Sequence, residues 1–351
     1  MTFERQTNTI MKHLAILLTV FACAGASRAA DCVTYEGKTG PGKGKHIVLL
    51  AGDEEYRSEE GLPQLAKILS QRHGFKCTVI FPVDPKTGEI DPNNGTSAPG
   101  IEALDSADLC IMLLRFRHWP NEQMKHFADY YLAGKPIIAL RTSTHAFNYD
   151  NSGKSDYEKF GWQGKEWAGG FGKQVLGETW VSHWGSHKNE ATRGVIETTA
   201  KRSPLLRGIV DIFGDTDVYE AAPPEDAKIL VRGRVLKGMK PGDAPADYKK
   251  KTVKGVEQPV NDPMQPVVWQ RDHTNEAGKL NRTLTTTLGS ATDLQNEGLR
   301  RLIINGAYWA VGLERKLPKK ANVDLVGDFN PTMYGFNGFK KGVKPADHEL
   351  K

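Results

Sequence analysis

Between residues 46 and 145 the chain alternates apolar, β-prone runs with amphipathic helical stripes, an order that few folds accept. His46–Gly52 (HIVLLAG) is continuously apolar, as a strand of a sheet covered on both faces must be. Leu62, Leu65, Ala66, Ile68 and Leu69 fall on one helical face, and Gly74 ends it. Strands follow at 76–83 and 107–116, the second preceded by an apolar turn at 101–104. A helix over 121–132 leads into a fourth strand over 136–140. Repeated strand–helix–strand units cross over with a right hand. The pattern therefore predicts an α/β fold with a right-handed, doubly wound, mostly parallel sheet.

The fourth strand runs straight into Thr142-Ser143-Thr144-His145. In open α/β sheets ligands bind in the crevice beyond the strand carboxyl ends. Hydrolases of this architecture often place a nucleophile at such a strand-to-helix turn, with glycines two residues to either side. Here Arg141 stands at the turn, no Cys follows, and Ser143 is flanked at those positions by Arg141 and His145. That argues against Ser143 as a nucleophile. His145 is the better candidate, as general base or metal ligand, set against a histidine merely bonded to the loop backbone.

Length, charge and the first thirty residues set the outer limits. A chain of 351 residues holds one large domain or two. The net charge of +5 is mild and forms no long basic run, so nucleic acid is not an expected partner. Met11-Lys12-His13, an apolar run over 14–24 and Ser27-Arg28-Ala29 read as a signal peptide over 1–29, with Met11 as its start. A secreted or periplasmic protein is expected. The run is too short to cross a bilayer, and nothing later is long and apolar enough to do so. Of the cysteines beyond it, Cys32, Cys77 and Cys110, the last two lie in strands and read as buried thiols. The main domain is expected over 44–315, with a polar loop insertion at 237–262 and an extended tail over 316–351. Further expectations are a Gly-interrupted helix at 167–177, strands at 192–197, 213–220, 227–235, 266–270 and 284–288, and a helix over 296–313.

Parallel strands would gather chemistry at one edge. The first delivers Asp53, Glu54 and Glu55, the third Arg115 and Arg117, and the fourth Arg141 and His145. Asp53, Glu55, Arg115 and Arg141 could grip a polyol or an anion, or order the loops as an internal salt-bridge network. A second concentration is Glu178-Thr179-Trp180-Val181-Ser182-His183-Trp184-Gly185-Ser186-His187. His183 and His187, four apart, would share a helical face as zinc ligands do, with Glu178 or His145 as a third. Gly185 and Ser186 argue for a loop instead, with Trp180 and Trp184 packed over the crevice or stacked on a sugar. Asp217 and Tyr219 alternate on a likely strand and would present an acid and a phenol on one face, for proton transfer or sugar hydroxyls.

The combined pattern resembles ThuA-like (trehalose-utilisation-like) proteins of the class I glutamine amidotransferase-like superfamily, in its secreted planctomycete-type subgroup. The pieces that carry it are Gly134 to Leu140, Asp217-Val218-Tyr219, Pro266-Val267-Val268-Trp269, Thr285-Thr286-Thr287-Leu288-Gly289, and the closing helix with Asn305-Gly306-Ala307-Tyr308-Trp309. Tyr334-Gly335-Phe336-Asn337-Gly338-Phe339-Lys340 matches the subgroup's tail. The resemblance implies a role in carbohydrate metabolism, of keto-sugars or disaccharides, and a histidine at the strand-four turn, a place His145 fills approximately. Relatives also carry histidine after the late Leu-Gly, where this chain has Ser290. The expectation is a hydrolase or lyase with His145, His183 and Asp217 as catalytic residues. Asp53, Glu55, Arg115, Arg141, Trp184 and Tyr219 would bind a small carbohydrate. No cofactor is firmly implied, and a divalent metal such as zinc would rest on His183 and His187. The alternatives are a non-catalytic sugar-binding module and, disfavoured by the missing Cys, a glutaminase.

Overall fold

The computed structural model describes residues 32–350. The expected signal peptide lies outside them. Strands β1 (Cys32–Tyr35), β2 (His46–Gly52), β3 (Lys76–Ile80), β4 (Leu109–Leu114) and β5 (Ile137–Leu140) come from the first half. The second half adds β6 (Ser182–His183), β7 (Thr192–Ile196), β8 (Phe213–Gly214), β9 (Tyr219–Glu220), β10 (Lys228–Val235), β11 (Lys249–Lys251), β12 (Glu257–Pro259), β13 (Gln265–Thr274) and β14 (Leu280–Thr286). The helices are α1 (Ser58–His73), α2 (Asn121–Leu132) and α3 (Glu297–Ala310).

Ten strands form one sheet in the order β1-β3-β2-β4-β5-β14-β13-β10-β7-β8. Its centre, β3-β2-β4-β5-β14, is parallel throughout. This is the flavodoxin-like order, with the strand direction of winding reversing between β2 and β4. The expected α/β doubly wound architecture is therefore present, and antiparallel strands extend it at both edges.

Alternation along the strands explains the layers. Ile47, Leu49 and Ala51 of β2 join the core under α1 and α3, with Leu65, Leu69, Leu302 and Ile303. Val48 and Leu50 point the other way, to Phe127 and Tyr131 of α2. Helix α1 stops at Gly74, whose φ of 78° only glycine adopts freely and whose N–H reaches the carbonyls of Leu69 and Ser70. Helix α3 starts where the Asn296 side chain accepts the Leu299 N–H. Cys77 and Cys110 are buried, and burial pushes both thiols up.

Four details differ from the sequence expectation. The 167–177 segment forms only a single wide turn, Gly172–Leu176, because Gly169 and Gly170 take positive φ. The 213–220 stretch splits into β8 and β9, which pair with different partners. The sheet takes in β1, ahead of residue 44. The 237–262 insertion is no plain loop: it carries the hairpin β11–β12.

The C-terminal arm is extended and returns across α1. Arg300 Nε donates to the Val323 carbonyl, Glu60 accepts both the N–H and the hydroxyl of Thr332, and the Gly335 N–H donates to the Glu55 carbonyl at 2.8 Å. The arm thereby reaches the carboxyl edge of the sheet.

Candidate functional site

Three neighbouring parallel strands are each followed by a residue in the left-handed region. Arg57 follows β2, Phe116 follows β4 and Arg141 follows β5, with φ of 58°, 52° and 41°. Non-glycine residues in this region are uncommon and are held there by their surroundings. Asp53 does much of the holding after β2. It is buried, takes the N–H groups of Glu55 and Tyr56 on one oxygen and the Thr142 hydroxyl on the other. Burial, then the neighbouring Glu54, pushes its carboxyl up to about 6.

The turn after β5 is packed to the limit. Arg141 to His145 form a short 3-10 turn in which every residue is buried. Ser143 Oγ donates to the Met112 carbonyl and accepts the Leu114 N–H, so its hydroxyl is spent on the sheet. A Cβ on Gly172 would stand 1.8 Å from the Thr144 carbonyl oxygen. Gly172→Ala is expected to displace the turn and cost about 1–3 kcal/mol in urea unfolding.

Asp217 is the hub. It is wholly buried, and its carboxylate accepts from three side chains: Arg141 Nη2 at 2.8 Å, His183 Nδ1 at 2.7 Å and His187 Nδ1 at 3.1 Å. Burial would raise this acid, but Arg141 and the two histidine bonds outweigh it and hold it well below the usual carboxylate range. Arg141 also donates from Nη1 to the carbonyls of Asp217 and Thr287, both at 2.7 Å. Its guanidinium lies 3.8 Å from the Tyr219 ring centroid and 4.7 Å from that of Tyr56.

His187 bridges two acids, with Nδ1 on Asp217 and Nε2 3.0 Å from Glu55 Oε1. Both nitrogens must donate, so the ring is an imidazolium. Those two bonds raise it to about 9. His183 differs. Its Nδ1–H is fixed on Asp217, which leaves Nε2 as the basic nitrogen, and the side chain is 38% exposed. The arrangement can accept a proton at His183 Nε2, stabilise the resulting charge through Asp217, and offer His187 as a neighbouring cation.

An aromatic row flanks His183. Trp180 lies 5.8 Å from its ring, Trp162 lies 6.3 Å from Trp180, and Phe116 lies 5.3 Å from Trp162, all three half-buried. Arg115 sits over the Phe116 ring at 4.5 Å and pairs with Glu54, which also takes Arg117 at 2.9 Å.

The structure brings Glu55, His183, His187, Asp217, Arg141 and Tyr219 together. Several expected roles need correction. Trp184 is fully buried and its indole N–H donates to the Val260 carbonyl, so it is core, not a sugar-stacking surface. Arg141 is likewise 0% exposed, with its bonds spent inside the protein. Asp217 lies in the loop between β8 and β9 rather than on one strand face with Tyr219. His183 and His187 meet without a helix, across a turn, with ring centroids 4.7 Å apart. Glu178 is buried elsewhere, on Lys173 and the Ala222 N–H, and is no third ligand. His145 is buried between Phe116 and Trp180. Burial, then Arg115 and Arg141, holds it neutral, well below its ordinary value.

Two contributors went unread in the sequence. Tyr334 of the arm stacks on Tyr56 at 5.2 Å and meets His187 at 5.7 Å. Trp162 completes the aromatic row. The glycine- and aromatic-rich stretch 334–340 was the available signal for Tyr334.

For a metal, His183, His187 and Asp217 offer ligand atoms within 4.8 Å of one another. The donor types suit zinc. Arg141, 2.8 Å from one Asp217 oxygen, opposes a second cation on that carboxylate.

No family model matches the sequence, and no curated protein matches it. Among solved structures, the chain is similar to a protein of Parabacteroides merdae ATCC 43184 described as ThuA-like. The identity is 14%, with 84% of this chain and 98% of that one covered, and the TM-score is 0.47. A protein of Bacteroides uniformis ATCC 8492, also described as ThuA-like, gives 14% identity over 79% of this chain and 95% of its own, with a TM-score of 0.44. The chain is also similar to the mmIFT52 N-terminal domain, at 11% identity over 76% of this chain and 97% of that one, with a TM-score of 0.38. No helix among the described residues is long and apolar enough to cross a membrane.

Proposed function

We propose that this is a ThuA-like protein whose crevice binds a carbohydrate or sugar derivative and transfers a proton on it, as a hydrolase or lyase. The observation that carries the reading is the buried Asp217 carboxylate orienting a half-exposed His183 beside a row of aromatic faces. A sugar ring presents C–H groups to aromatic planes and hydroxyls to the polar rim. Phe116, Trp162 and Trp180 supply the first, and Arg115, Glu55 and His187 the second. His183 acts as base, His187 and Arg141 balance charge, and buried His145 supports the wall from beneath. The apolar leader read at 1–29 supports a secreted or periplasmic place of work.

The test is a thermal-shift and tryptophan-fluorescence screen of sugars, keto-sugars, disaccharides and uronic acids. A ligand of the native state raises the apparent melting point by mass action. Trp180→Ala is expected to weaken the bound sugar about tenfold, the worth of one aromatic contact. His183→Ala is expected to abolish turnover while leaving binding in place. Full turnover in that variant would remove the proton-transfer role, and binding without any product would favour a sugar-binding module. The His183–His187–Asp217 cluster favours a second reading, a divalent metal such as zinc. Elemental analysis of the purified protein decides it.

A further inference from the structure

The 237–262 insertion stands outside the sheet, yet its polar bonds converge on the histidine segment. Lys250 Nζ donates to the main-chain carbonyls of His183 at 2.7 Å and Trp184 at 3.0 Å. Tyr248 donates its hydroxyl to Glu190 Oε2 at 2.8 Å, and that same oxygen accepts the Ser186 N–H at 2.7 Å. The Val253 N–H reaches Glu220, which also takes the Ser182 hydroxyl at 3.0 Å. The Trp184 indole N–H ends on the Val260 carbonyl at 2.7 Å. The insertion thus grips Ser182, His183, Trp184 and Ser186, the stretch that carries both imidazoles. The sheet side holds the same segment through the buried Trp184 ring and through the Trp184 and Gly185 N–H groups on the Val218 carbonyl, and β6, two residues long, pairs with β9.

We propose that the β11–β12 hairpin is a positioning element for the histidine pair, with Lys250 as the positioning residue that fixes the His183 main chain against Asp217. A charged donor on two carbonyls is worth more than a neutral one, and a misplacement of about 1 Å at a reacting group is costly. Lys250 touches no reacting atom; it acts through His183. The inference rests on the reading of His183 as the chemical centre, but its test needs no substrate.

The experiment follows the imidazole N–H resonances of the whole protein by nuclear magnetic resonance, with ¹⁵N-labelled histidine. In the wild type the Nδ1–H groups of His183 and His187 donate to Asp217, and their protons are expected to be protected from exchange. In Lys250→Met the His183 proton is expected to exchange at least about tenfold faster, as a local opening of lower free energy allows. Lys250→Arg should restore protection, and Lys249→Met on the exposed neighbour should change nothing. Unchanged His183 exchange in Lys250→Met overturns the proposal. Should that variant fail to fold, Tyr248→Phe tests the same insertion through a different tie, the bond from Tyr248 to Glu190. It is expected to expose the His187 proton and spare that of His183, and equal protection of both overturns the positioning role. If no sugar binds the wild type, the carbohydrate reading fails while the exchange result still stands or falls alone.

Discussion

Asp217→Ala is expected to destabilise the fold by about 3–5 kcal/mol, the cost of leaving one half of a buried ion pair uncompensated. Arg141 is fully buried, and Asp217 is the carboxylate with which it pairs. Without that partner the guanidinium keeps two carbonyls and two aromatic faces, which hydrogen-bond it but do not neutralise it. Urea unfolding monitored by tryptophan fluorescence measures the loss. A midpoint equal to wild type would mean that the pair is not the keystone of the crevice. Asp217→Asn separates charge from shape. The amide fills the same space but no longer favours imidazolium at His187, whose value is expected to fall from about 9 as one of its two carboxylate bonds is lost. A histidine raised in the fold stabilises fully below its unfolded value, and that contribution fades as pH climbs through 9. The mutant should therefore lose most just below pH 6.5, where that contribution is full, and progressively less as pH climbs toward 9.

The sheet was legible because its signal is local. Continuous apolar strands such as His46–Gly52 and the stripe on α1 state their partners by period alone, and the right-handed crossover rule does the rest. The converging loops were legible for the same reason, since strand order places Glu55, Arg115 and Arg141 at one edge. The roles of the residues were not. Burial separates Arg141 and Trp184 from the crevice, and burial of a loop residue depends on what later segments lay over it. Asp217 reaches His183 through a non-local loop rather than a strand face. Tyr334 arrives from far along the chain on an extended arm with no periodicity to read. The insertion reads as an exposed loop because lysine, proline and aspartate signal exposure; its tie to His183 ends on a main-chain carbonyl, which composition does not encode.

Glu59 gives the largest effect away from the crevice. It lies in the first turn of α1, buried, with neither carboxyl oxygen hydrogen-bonded to any described residue. Burial raises it from 4.5 to about 8. Below pH 4.5 folded and unfolded chains both hold the proton. Between 4.5 and 8 only the folded chain holds it, so the unfolded state binds fewer protons and stability falls as pH rises. The full loss is on the order of 4–5 kcal/mol once pH passes 8. Asp53, raised to about 6, and Asp215, raised to about 8 by burial and then by Asp293, push in the same direction. The wild type is therefore expected to weaken steadily toward alkaline pH. Glu59→Gln removes one titration and leaves a neutral side chain of the same length, whose own burial cost does not vary with pH. The difference in unfolding free energy between variant and wild type should be small near pH 4.5 and grow to several kcal/mol in favour of the variant by pH 8.5. Urea midpoints at four pH values across that span measure it. A constant difference would show that Glu59 is ionised throughout, and that the helix N-terminus, where a negative charge is favoured, stabilises the carboxylate more than burial opposes it.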